Sequence, residues 1–248
     1  MTCRGPRGPG LRTGFSIRFI GPRVAAGVLL SVAGWELPLQ LQELAGRVGW
    51  APGSDFAFYR GVAQRWLETG SFYLPAQLAG PYGIVLNRDV LYPPTALYLF
   101  TPFLWLPPAV WWGVPIFVLC YALWRWRPAA WAWPILAFGL VWPRTQGALL
   151  LGNTDLWIAA AVAGGLLWGW PAILAALKPT FLALALVGAT RRSWWIGWTV
   201  FAAINVPLLG LWSDYLVTLG NSGIPWTYSL LNVVLPLLPL AAWLARVR

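Results

Sequence analysis

The sequence predicts an all-α, polytopic membrane protein, and three observations support this fold class. Hydrophobic residues make up 59% of the 248 positions and charged residues only 10%, whereas a soluble domain carries about 25% charged residues. Apolar segments close to the ~20 residues needed to cross a bilayer follow one another along most of the chain. The 20 tryptophans are typical of membrane interfaces, where an amphipathic ring lies at headgroup level.

The first element is a basic segment, residues 1–23, which we expect to be a cytoplasmic tail. Its arginines lie among glycine and proline, and the apolar run VAAGVLLSVAG follows at residues 24–34. This order is typical of a cleaved signal peptide or of an uncleaved signal anchor. The long basic segment and the later apolar spans favour an anchor. Residues 24–248 are then a single membrane domain, whose chain emerges outside near residue 41.

Residues 43–91 form the longest stretch without a predicted span and are expected to be the first extracytoplasmic loop. Four of its residues recur at three- and four-residue spacings: Phe56, Tyr59, Ala63 and Trp66. This spacing predicts a short amphipathic helix over Asp55–Leu67 that lies in the plane of the membrane interface. Ser54 is its expected N-cap, and Asp55 in the first turn suits the helix dipole.

Seven apolar segments follow and, with the N-terminal anchor, predict about eight transmembrane helices. They cover residues 92–106, 109–124, 129–143, 147–168, 170–189, 194–212 and 226–245. With the N-terminus inside, Arg191 and Arg192 fall in the cytoplasm, as the positive-inside rule requires. Arg125 and Arg127 fall outside and conflict with that rule. A boundary between 92 and 143 is therefore suspect, first of all at the Pro107–Pro108 hinge.

Polar residues at membrane depth predict a functional site, because an ionisable side chain there costs several kcal/mol. Asp155 and Lys178 lie on adjacent predicted spans at comparable depth and can pair. Two interpretations stay open: the pair stabilises the bundle internally, or Lys178 faces a cavity and binds an anionic group such as phosphate. Pro179 is expected to break the helix beside Lys178. Arg144 and Gln146, between two spans, are a further feature of this kind.

The composition also limits the chemistry of any site. The chain has no histidine, so acid–base catalysis near neutral pH must use carboxylates or water. We expect no cofactor and no dedicated metal site, although Asp55 and Asp89 could share one divalent ion. The net charge of +10 comes from arginines scattered between apolar spans, so nucleic acid is not an expected partner.

Four stretches together resemble a known family. They are SDF-x-FY after the first span, then LYPPTALYLFTPFLWLP, LLLGNTDLWIAAAVAGG and LKPTFLALALVGATRR. In this order they resemble the polyprenyl-phosphate-mannose-dependent mannosyltransferases of the GT-C class, in particular the glycosyltransferase 87 family. The resemblance covers about residues 24–195. The chain is shorter than full-length members and has Gly152 where members more often have Gln, so it resembles a short member or a fragment.

The resemblance implies an inverting enzyme of the plasma membrane with its active site on the extracytoplasmic face. It implies transfer of a sugar, with mannose favoured, from a polyprenyl-phosphate donor to a hydroxyl of a glycolipid or polysaccharide. Asp55 corresponds to the general base, Tyr92 to the Tyr-Pro-Pro motif and Lys178 to the lysine-proline motif. The other candidates for binding the donor phosphate or substrate are Arg60, Arg88, Asp89, Tyr59, Asn153 and Asp155.

Several candidates have a second interpretation. Asp55 can simply complement the helix dipole. Asp89 can hold the acceptor sugar, act as the base or pair with Arg88. Tyr59 and Tyr92 can stack on a sugar, contact phosphate oxygens or belong to an aromatic belt. The alternative function is a non-catalytic multi-pass protein, either a transporter or a partner subunit, although the sequence shows no convincing internal repeat of the kind typical of transporters.

Overall fold

The computed structural model describes residues 20–46, 51–85, 87–224 and 230–247, and in these ranges the protein is helical without β-strands. The α-helices are α1 Ile20–Gly46, α2 Ser54–Thr69, α3 Pro75–Leu78, α4 Ala96–Phe100, α5 Pro108–Trp126, α6 Ala132–Val141, α7 Pro143–Leu151, α8 Asp155–Trp168, α9 Arg192–Asn205, α10 Leu209–Ser222 and α11 Val234–Leu244. Short 3₁₀ segments cover Thr101–Leu104, Trp170–Leu177, Pro179–Leu186, Val206–Leu208 and Leu230–Asn232. The predicted all-α class is confirmed.

The helix predicted in the first loop is confirmed as α2, but its start differs from the prediction. Gly53 is the N-cap, with a left-handed φ of 78°, and Ser54 is already helical. The Oγ atom of Ser54 is buried and has no hydrogen-bond partner within the described ranges. The prediction that Ser54 caps the helix is therefore wrong. The cap position is occupied by Gly53, because a glycine adopts the left-handed backbone conformation of this turn without steric cost.

The apolar face of α2 packs against the protein itself. Phe56 and Tyr59 are buried, and Tyr59 stacks on Phe100 with ring centroids 4.6 Å apart. Phe56 lies edge-on to Phe103 at 6.1 Å and beside Trp111 at 5.3 Å. The face predicted to lie against lipid headgroups is thus covered by α4, the 3₁₀ segment after it and the start of α5.

Two of the predicted spans are interrupted. The segment 92–106 contains only α4 and one 3₁₀ turn, too short to cross a bilayer. The segment 147–168 breaks between α7 and α8, whose axes differ by 102°. Gly152 makes this break with a φ of 75°, and a Cβ there would lie 2.7 Å from Cζ2 of Trp112. A glycine is required at this position by both conformation and space.

The segment 170–189 turns back at Lys178 instead of crossing. Its two 3₁₀ segments pack against each other, and Lys178 between them is extended, with φ −130° and ψ 105°. Pro179 enforces this conformation, because the residue before a proline is disfavoured in the helical region. The predicted helix break at this position is confirmed.

The two ends of this hairpin lie side by side. Gly188, with a φ of 83°, follows the second 3₁₀ segment, and a Cβ on it would lie 2.7 Å from the carbonyl oxygen of Gly165 and 3.0 Å from Cα of Gly169. Gly165 and Gly169 lie at the end of α8, where the hairpin also begins. The chain therefore enters and leaves the hairpin at the same end of α8, with Lys178 at the tip.

Helices α5, α8 and α11 run parallel to one another. Near their C-terminal ends, Trp126, Ala163 and Ala242 belong to one buried cluster. Near their N-terminal ends, Leu156 of α8 packs with Leu235 of α11, and Nε1 of Trp111 in α5 donates to the carbonyl oxygen of Gly152 at 2.8 Å. All three helices thus begin at one end of the bundle and end at the other.

Two described helical stretches are long and apolar enough to cross a membrane: α5 and the stretch Arg192–Ser222, which joins α9 and α10. The bent pair α7 and α8 would be a third. Large apolar side chains on these elements are exposed, among them Phe117 and Val206. Because lipid suits such a surface better than water, the fold supports a membrane protein. The eight predicted spans are not confirmed.

The predicted basic tail lies outside the described residues up to residue 19. Helix α1 begins at Ile20, its apolar part covers Gly21–Val32, and it packs along α6. The sidedness of the tail and of the loop 43–91 stays a prediction.

Candidate functional site

A polar cluster forms where α2 meets the break between α7 and α8. Asp55 in the first turn of α2 is half-buried, and its Oδ2 accepts a hydrogen bond of 2.6 Å from Nδ2 of Asn153. The backbone joins the same two elements, because the amide of Gly53 donates to the carbonyl oxygen of Leu150 at 2.8 Å. Docking of α2 on the end of α7 therefore brings together two residues that are far apart in sequence.

Lys178 and Asp155 form a buried ion pair beside this contact. Nζ of Lys178 lies 2.6 Å from Oδ1 of Asp155, and their side chains are 4% and 0% exposed. The predicted pairing is confirmed. Asp155 opens α8, where the helix dipole also favours a carboxylate. Since both charges are withdrawn from solvent, the geometry supports the interpretation that the pair is internal, rather than Lys178 facing an open cavity.

Asn153 connects this ion pair to Asp55. Its Oδ1 accepts hydrogen bonds from Nζ of Lys178 at 3.3 Å and from the backbone amide of Asp155 at 3.1 Å. Both of these groups are donors, so they hold the carbonyl side of the amide toward themselves. The Nδ2 side must then point toward Asp55. The orientation of Asn153, and through it the position of Asp55, depends on the buried pair.

Tyr59 and Tyr92 extend the cluster away from Asp55. Their hydroxyls share a hydrogen bond of 2.9 Å, and the hydroxyl of Tyr92 shares another of 2.8 Å with Oγ1 of Thr154. Both rings are buried, at 2% and 8% exposure. Neither ring lies in a surface belt or presents a face for a sugar to stack on. They instead tie α2 and the segment before α4 to the start of α8.

The surroundings of Asp55 change its acidity. Burial raises the pKa of Asp55 above the ordinary 3.8, the hydrogen bond from Asn153 and the charge of Lys178 act to lower it, and the charge of Asp155 acts to raise it. A carboxylate with a raised pKa is a stronger base than an exposed one. Within the described ranges, Oδ1 of Asp55 makes no hydrogen bond. One carboxylate oxygen is thus held by Asn153, and the other has no donor among the described residues.

No protein-family model matches this chain. Neither a curated protein nor a solved structure matches it. The cluster itself is therefore the basis for any proposal about function.

Three predicted site residues lie outside the cluster. Asp89 accepts hydrogen bonds from the amide of Val85 at 2.7 Å and from Nε of Arg88 at 2.8 Å, and its side chain is fully buried. Of the three interpretations of Asp89, the pairing with Arg88 is the one observed. Arg60 is half-buried on α2, with its guanidinium carbon 5.9 Å from the ring centroid of Phe56. No described contact joins any of the three to Asp55.

The remaining polar residues singled out from the sequence also stand apart. Arg144 is exposed on α7, whereas Gln146 is buried with an Oε1 that has no partner in the described structure. As for a metal site, the described ranges contain no group of three or more potential acidic, histidine or cysteine ligands. Asp55 and Asp89 make separate described contacts, and the ion site that they could share stays a prediction.

Sequence reasoning missed two residues that shape the cluster. Thr154 links Tyr92 to the Asn153–Asp155 turn, and Trp111 holds the carbonyl oxygen of Gly152 at the helix break. Thr154 lies between Asn153 and Asp155, which were both already predicted site residues, so its position could have indicated a role in the cluster. Trp111 had no such signal, because its partner lies on an element that only the tertiary structure brings near.

Proposed function

We propose that the protein is a membrane glycosyltransferase of the GT-C class, similar to the glycosyltransferase 87 family. It moves a sugar, with mannose favoured, from a polyprenyl-phosphate donor to a hydroxyl of a glycolipid or polysaccharide at the extracytoplasmic face of the plasma membrane. One observation carries the proposal. Asp55, at the motif position of the base, is held through Oδ2 by Asn153 and the buried Lys178–Asp155 pair, and its Oδ1 accepts no hydrogen bond from the described residues.

In this reaction Oδ1 of Asp55 takes the proton of the acceptor hydroxyl. The acceptor oxygen forms a new bond to the anomeric carbon, and the bond from that carbon to the donor phosphate breaks. The polyprenyl phosphate leaves with the electron pair, and attack opposite the leaving group inverts the anomeric configuration. The raised pKa of Asp55 makes it a more effective proton acceptor than an exposed aspartate would be.

The leaving phosphate needs positive charge near it. Helices α5, α8 and α11 all begin at this end of the bundle, and their dipoles contribute partial positive charge there. Arg60 follows Asp55 on α2 by about one and a half turns, off the Asp55 face of the helix. Because it is a half-buried cation on that helix, we assign it the phosphate contact. Lys178 adds positive charge close to Asp55 while it stays paired with Asp155.

The test is transfer of labelled sugar from polyprenyl-phosphate mannose to membrane glycolipid by the purified, reconstituted chain. Asp55→Asn removes the base and is expected to lower the rate by roughly 10²–10⁴-fold. Glu68→Gln is the matched control, because it removes an exposed carboxylate from the same helix that contacts only Gln64 at 2.8 Å. The control is expected to retain the wild-type rate.

Equal transfer by the wild type and Asp55→Asn would contradict the assignment of the base. Failure of the wild type with every polyprenyl-phosphate sugar tested would contradict the enzyme and favour a non-catalytic membrane protein. Thermal unfolding of both variants in detergent separates loss of chemistry from loss of fold.

A further inference from the structure

Five arginines gather at one end of the bundle, and we refer to them as the arginine face. They are Arg125 in the last turn of α5, Arg127 directly after that helix, Arg191 and Arg192 at the start of α9, and Arg246 after α11. They lie together because α5, α8 and α11 run parallel and end at this side.

Direct contacts hold these chain ends together. The guanidinium group of Arg191 donates to the carbonyl oxygens of Leu166 and Leu167 in the last turn of α8. An isolated β-bridge joins Pro128 to Arg246, and the amide of Ala129 donates to the carbonyl oxygen of Ala245 at 2.8 Å. The end of α5 is thus fastened to the end of α11, and the start of α9 to the end of α8.

Among the described residues, no carboxylate pairs with the arginines of this face. Arg125, Arg127, Arg191 and Arg192 are exposed, Arg246 is half-buried, and none of them makes an ion pair in the part of the chain that the structure describes. Cations near helix C-terminal ends are favoured by the helix dipole. Arg125 and Arg192 make no described hydrogen bond to a helix end, so their charges are available to an external partner.

Exposed tryptophans surround the arginines. Trp124, Trp168, Trp170 and Trp195 expose between 44% and 63% of their surface. Trp124 and Trp195 are close in sequence to Arg125 and Arg192. Trp168 and Trp170 flank Gly169, where a Cβ would lie 3.1 Å from Cβ of Arg191. Exposed tryptophan together with arginine is typical of the layer where the hydrocarbon of a bilayer meets its headgroups. Such a belt distinguishes a lipid partner from a nucleic acid or an acidic protein.

The arginine face is remote from the Asp55 cluster. Asp155 opens α8 beside Asn153 and Trp168 ends it, and a helix of this length spans about 20 Å. The hydrocarbon core of a bilayer is about 30 Å thick. If the arginines lie in one headgroup layer, the Asp55 cluster lies toward the other.

The fold also removes the conflict with the positive-inside rule. A simple count of apolar segments places Arg125 and Arg127 on the opposite side from Arg191 and Arg192. The helical part of segment 92–106 is too short to cross a bilayer, and segment 170–189 is a hairpin. Neither segment is therefore counted as a crossing. All five arginines then fall on one side of the membrane.

We propose that the arginine face binds the anionic phospholipid headgroups of the cytoplasmic leaflet and thereby orients the protein, with the Asp55 cluster toward the opposite leaflet. This proposal does not depend on the proposed transferase activity, because its tests need no turnover.

The first test measures lipid retention by native mass spectrometry of the full chain, purified with equal phosphatidylglycerol and phosphatidylcholine. The wild type is expected to retain phosphatidylglycerol preferentially. In the double variant Arg125→Gln/Arg192→Gln, the ratio of retained phosphatidylglycerol to phosphatidylcholine is expected to fall by roughly fivefold for each arginine removed. These two side chains are exposed and without described hydrogen bonds, so the variant should fold.

The control for lipid retention is Arg65→Gln/Arg88→Gln, which removes two arginines that lie outside the arginine face, one in α2 and one in the segment before α4. It is expected to keep the wild-type preference. An equal loss in the control, or a wild type without preference for phosphatidylglycerol, would overturn the binding proposal.

The second test measures sidedness in intact cells with a membrane-impermeant maleimide, in a Cys3→Ser/Cys120→Ser background. Gln64→Cys reports on the exposed side of α2, and Val247→Cys, which is 67% exposed beside Arg246, reports on the arginine face. Only Gln64→Cys should react before the cells are opened. Reaction of Val247→Cys in intact cells would refute the proposed orientation.

Discussion

Asn153 is the residue on which the arrangement of Asp55 depends. Lys178 and the backbone of Asp155 hold its carbonyl oxygen, and its amide nitrogen holds Asp55 at 2.6 Å. It therefore acts as a positioning residue: it determines which oxygen of Asp55 is held, and its hydrogen bond also lowers the pKa of that carboxyl group. Under the proposed function, the other oxygen faces the substrate. The groups that face Asp55 besides Asn153 are the charged Lys178 and Asp155.

Asn153→Ala is expected to shift the acid limb of the pH–rate profile to higher pH. Catalysis needs ionised Asp55, so the rate falls as the pH drops through its pKa, which lies above 3.8. Loss of the hydrogen bond from Asn153 raises that pKa further. The value of kcat should fall while the KM for the donor changes little.

The matched control for this prediction is Asn205→Ala, which also removes a buried amide. Asn205 accepts a hydrogen bond of 2.9 Å from Nε1 of Trp212 and has no described contact with Asp55. The acid limb of the pH–rate profile of Asn205→Ala should coincide with that of the wild type. Carboxyl ¹³C NMR of labelled aspartate, with Asp55→Asn for assignment, measures the same titration without turnover, and an unchanged Asp55 titration in Asn153→Ala would contradict the positioning role.

The Lys178–Asp155 pair makes a second prediction at the residue scale. Lys178→Met leaves a buried carboxylate without its cation and is expected to lower the free energy of unfolding by about 3–5 kcal/mol. The double variant Lys178→Met/Asp155→Leu removes both charges and should recover most of that stability. Unfolding in detergent measures the free energy of unfolding of both variants. If the double variant were as unstable as Lys178→Met alone, the loss of stability would not come from the unpaired carboxylate of Asp155.

The break between α7 and α8 is the element that creates the cluster. It directs Asn153 toward α2 and starts α8 with Asp155, and Gly152 makes the turn with a left-handed φ of 75°. The hairpin supplies Lys178 from the other side. Two interrupted elements thus meet at one polar site, which is where broken backbone is tolerated at membrane depth.

Gly152→Ala is expected to destabilise the protein by about 2–4 kcal/mol, from the left-handed backbone and from overpacking. The added Cβ would lie 2.7 Å from Cζ2 of Trp112 and 3.0 Å from Cβ of Phe56. Gly147→Ala on the same helix is the control, since a Cβ there meets no heavy atom within 4 Å. Equal unfolding midpoints for the two variants would contradict the role given to Gly152.

At the scale of the whole molecule, the parallel arrangement of α5, α8 and α11 separates two functional ends. Arginine and tryptophan collect at the C-terminal ends of these helices, and the Asp55 cluster forms near their N-terminal ends. If the arginine face lies in one headgroup layer, as proposed above, the Asp55 cluster is reached from the opposite side of the bilayer.

The hairpin makes a prediction about this topology. Trp170→Cys and Thr190→Cys mark its two ends, both exposed, in the same cysteine-free background. Because the chain enters and leaves beside the end of α8, both positions should react with an impermeant maleimide from the same side of the membrane. Reaction from opposite sides would show that the segment 170–189 crosses, as a simple count of apolar segments suggests.

Composition and local pattern determined the class of this protein and much of its site. A chain with so few charged residues cannot solvate its surface in water, so the all-α membrane fold follows without coordinates. Asp155 and Lys178 stood out because polar groups at membrane depth are rare and costly, and Asn153 was singled out by the resemblance to a known family. The spacing of Phe56 and Tyr59 was enough to predict α2.

Only the tertiary structure decided which apolar segments cross, which residues meet and which do not. A local pattern records that a segment is apolar, but whether it crosses or turns back depends on where its two ends pack. Lys178 became the tip of a hairpin because Gly188 returns the chain to Gly165. Asp89 and Asp55 look alike in sequence, yet both oxygens of Asp89 accept hydrogen bonds from Arg88 and Val85, whereas only one oxygen of Asp55 has a donor among the described residues. The difference arises because packing across the chain decides which donors reach each carboxylate.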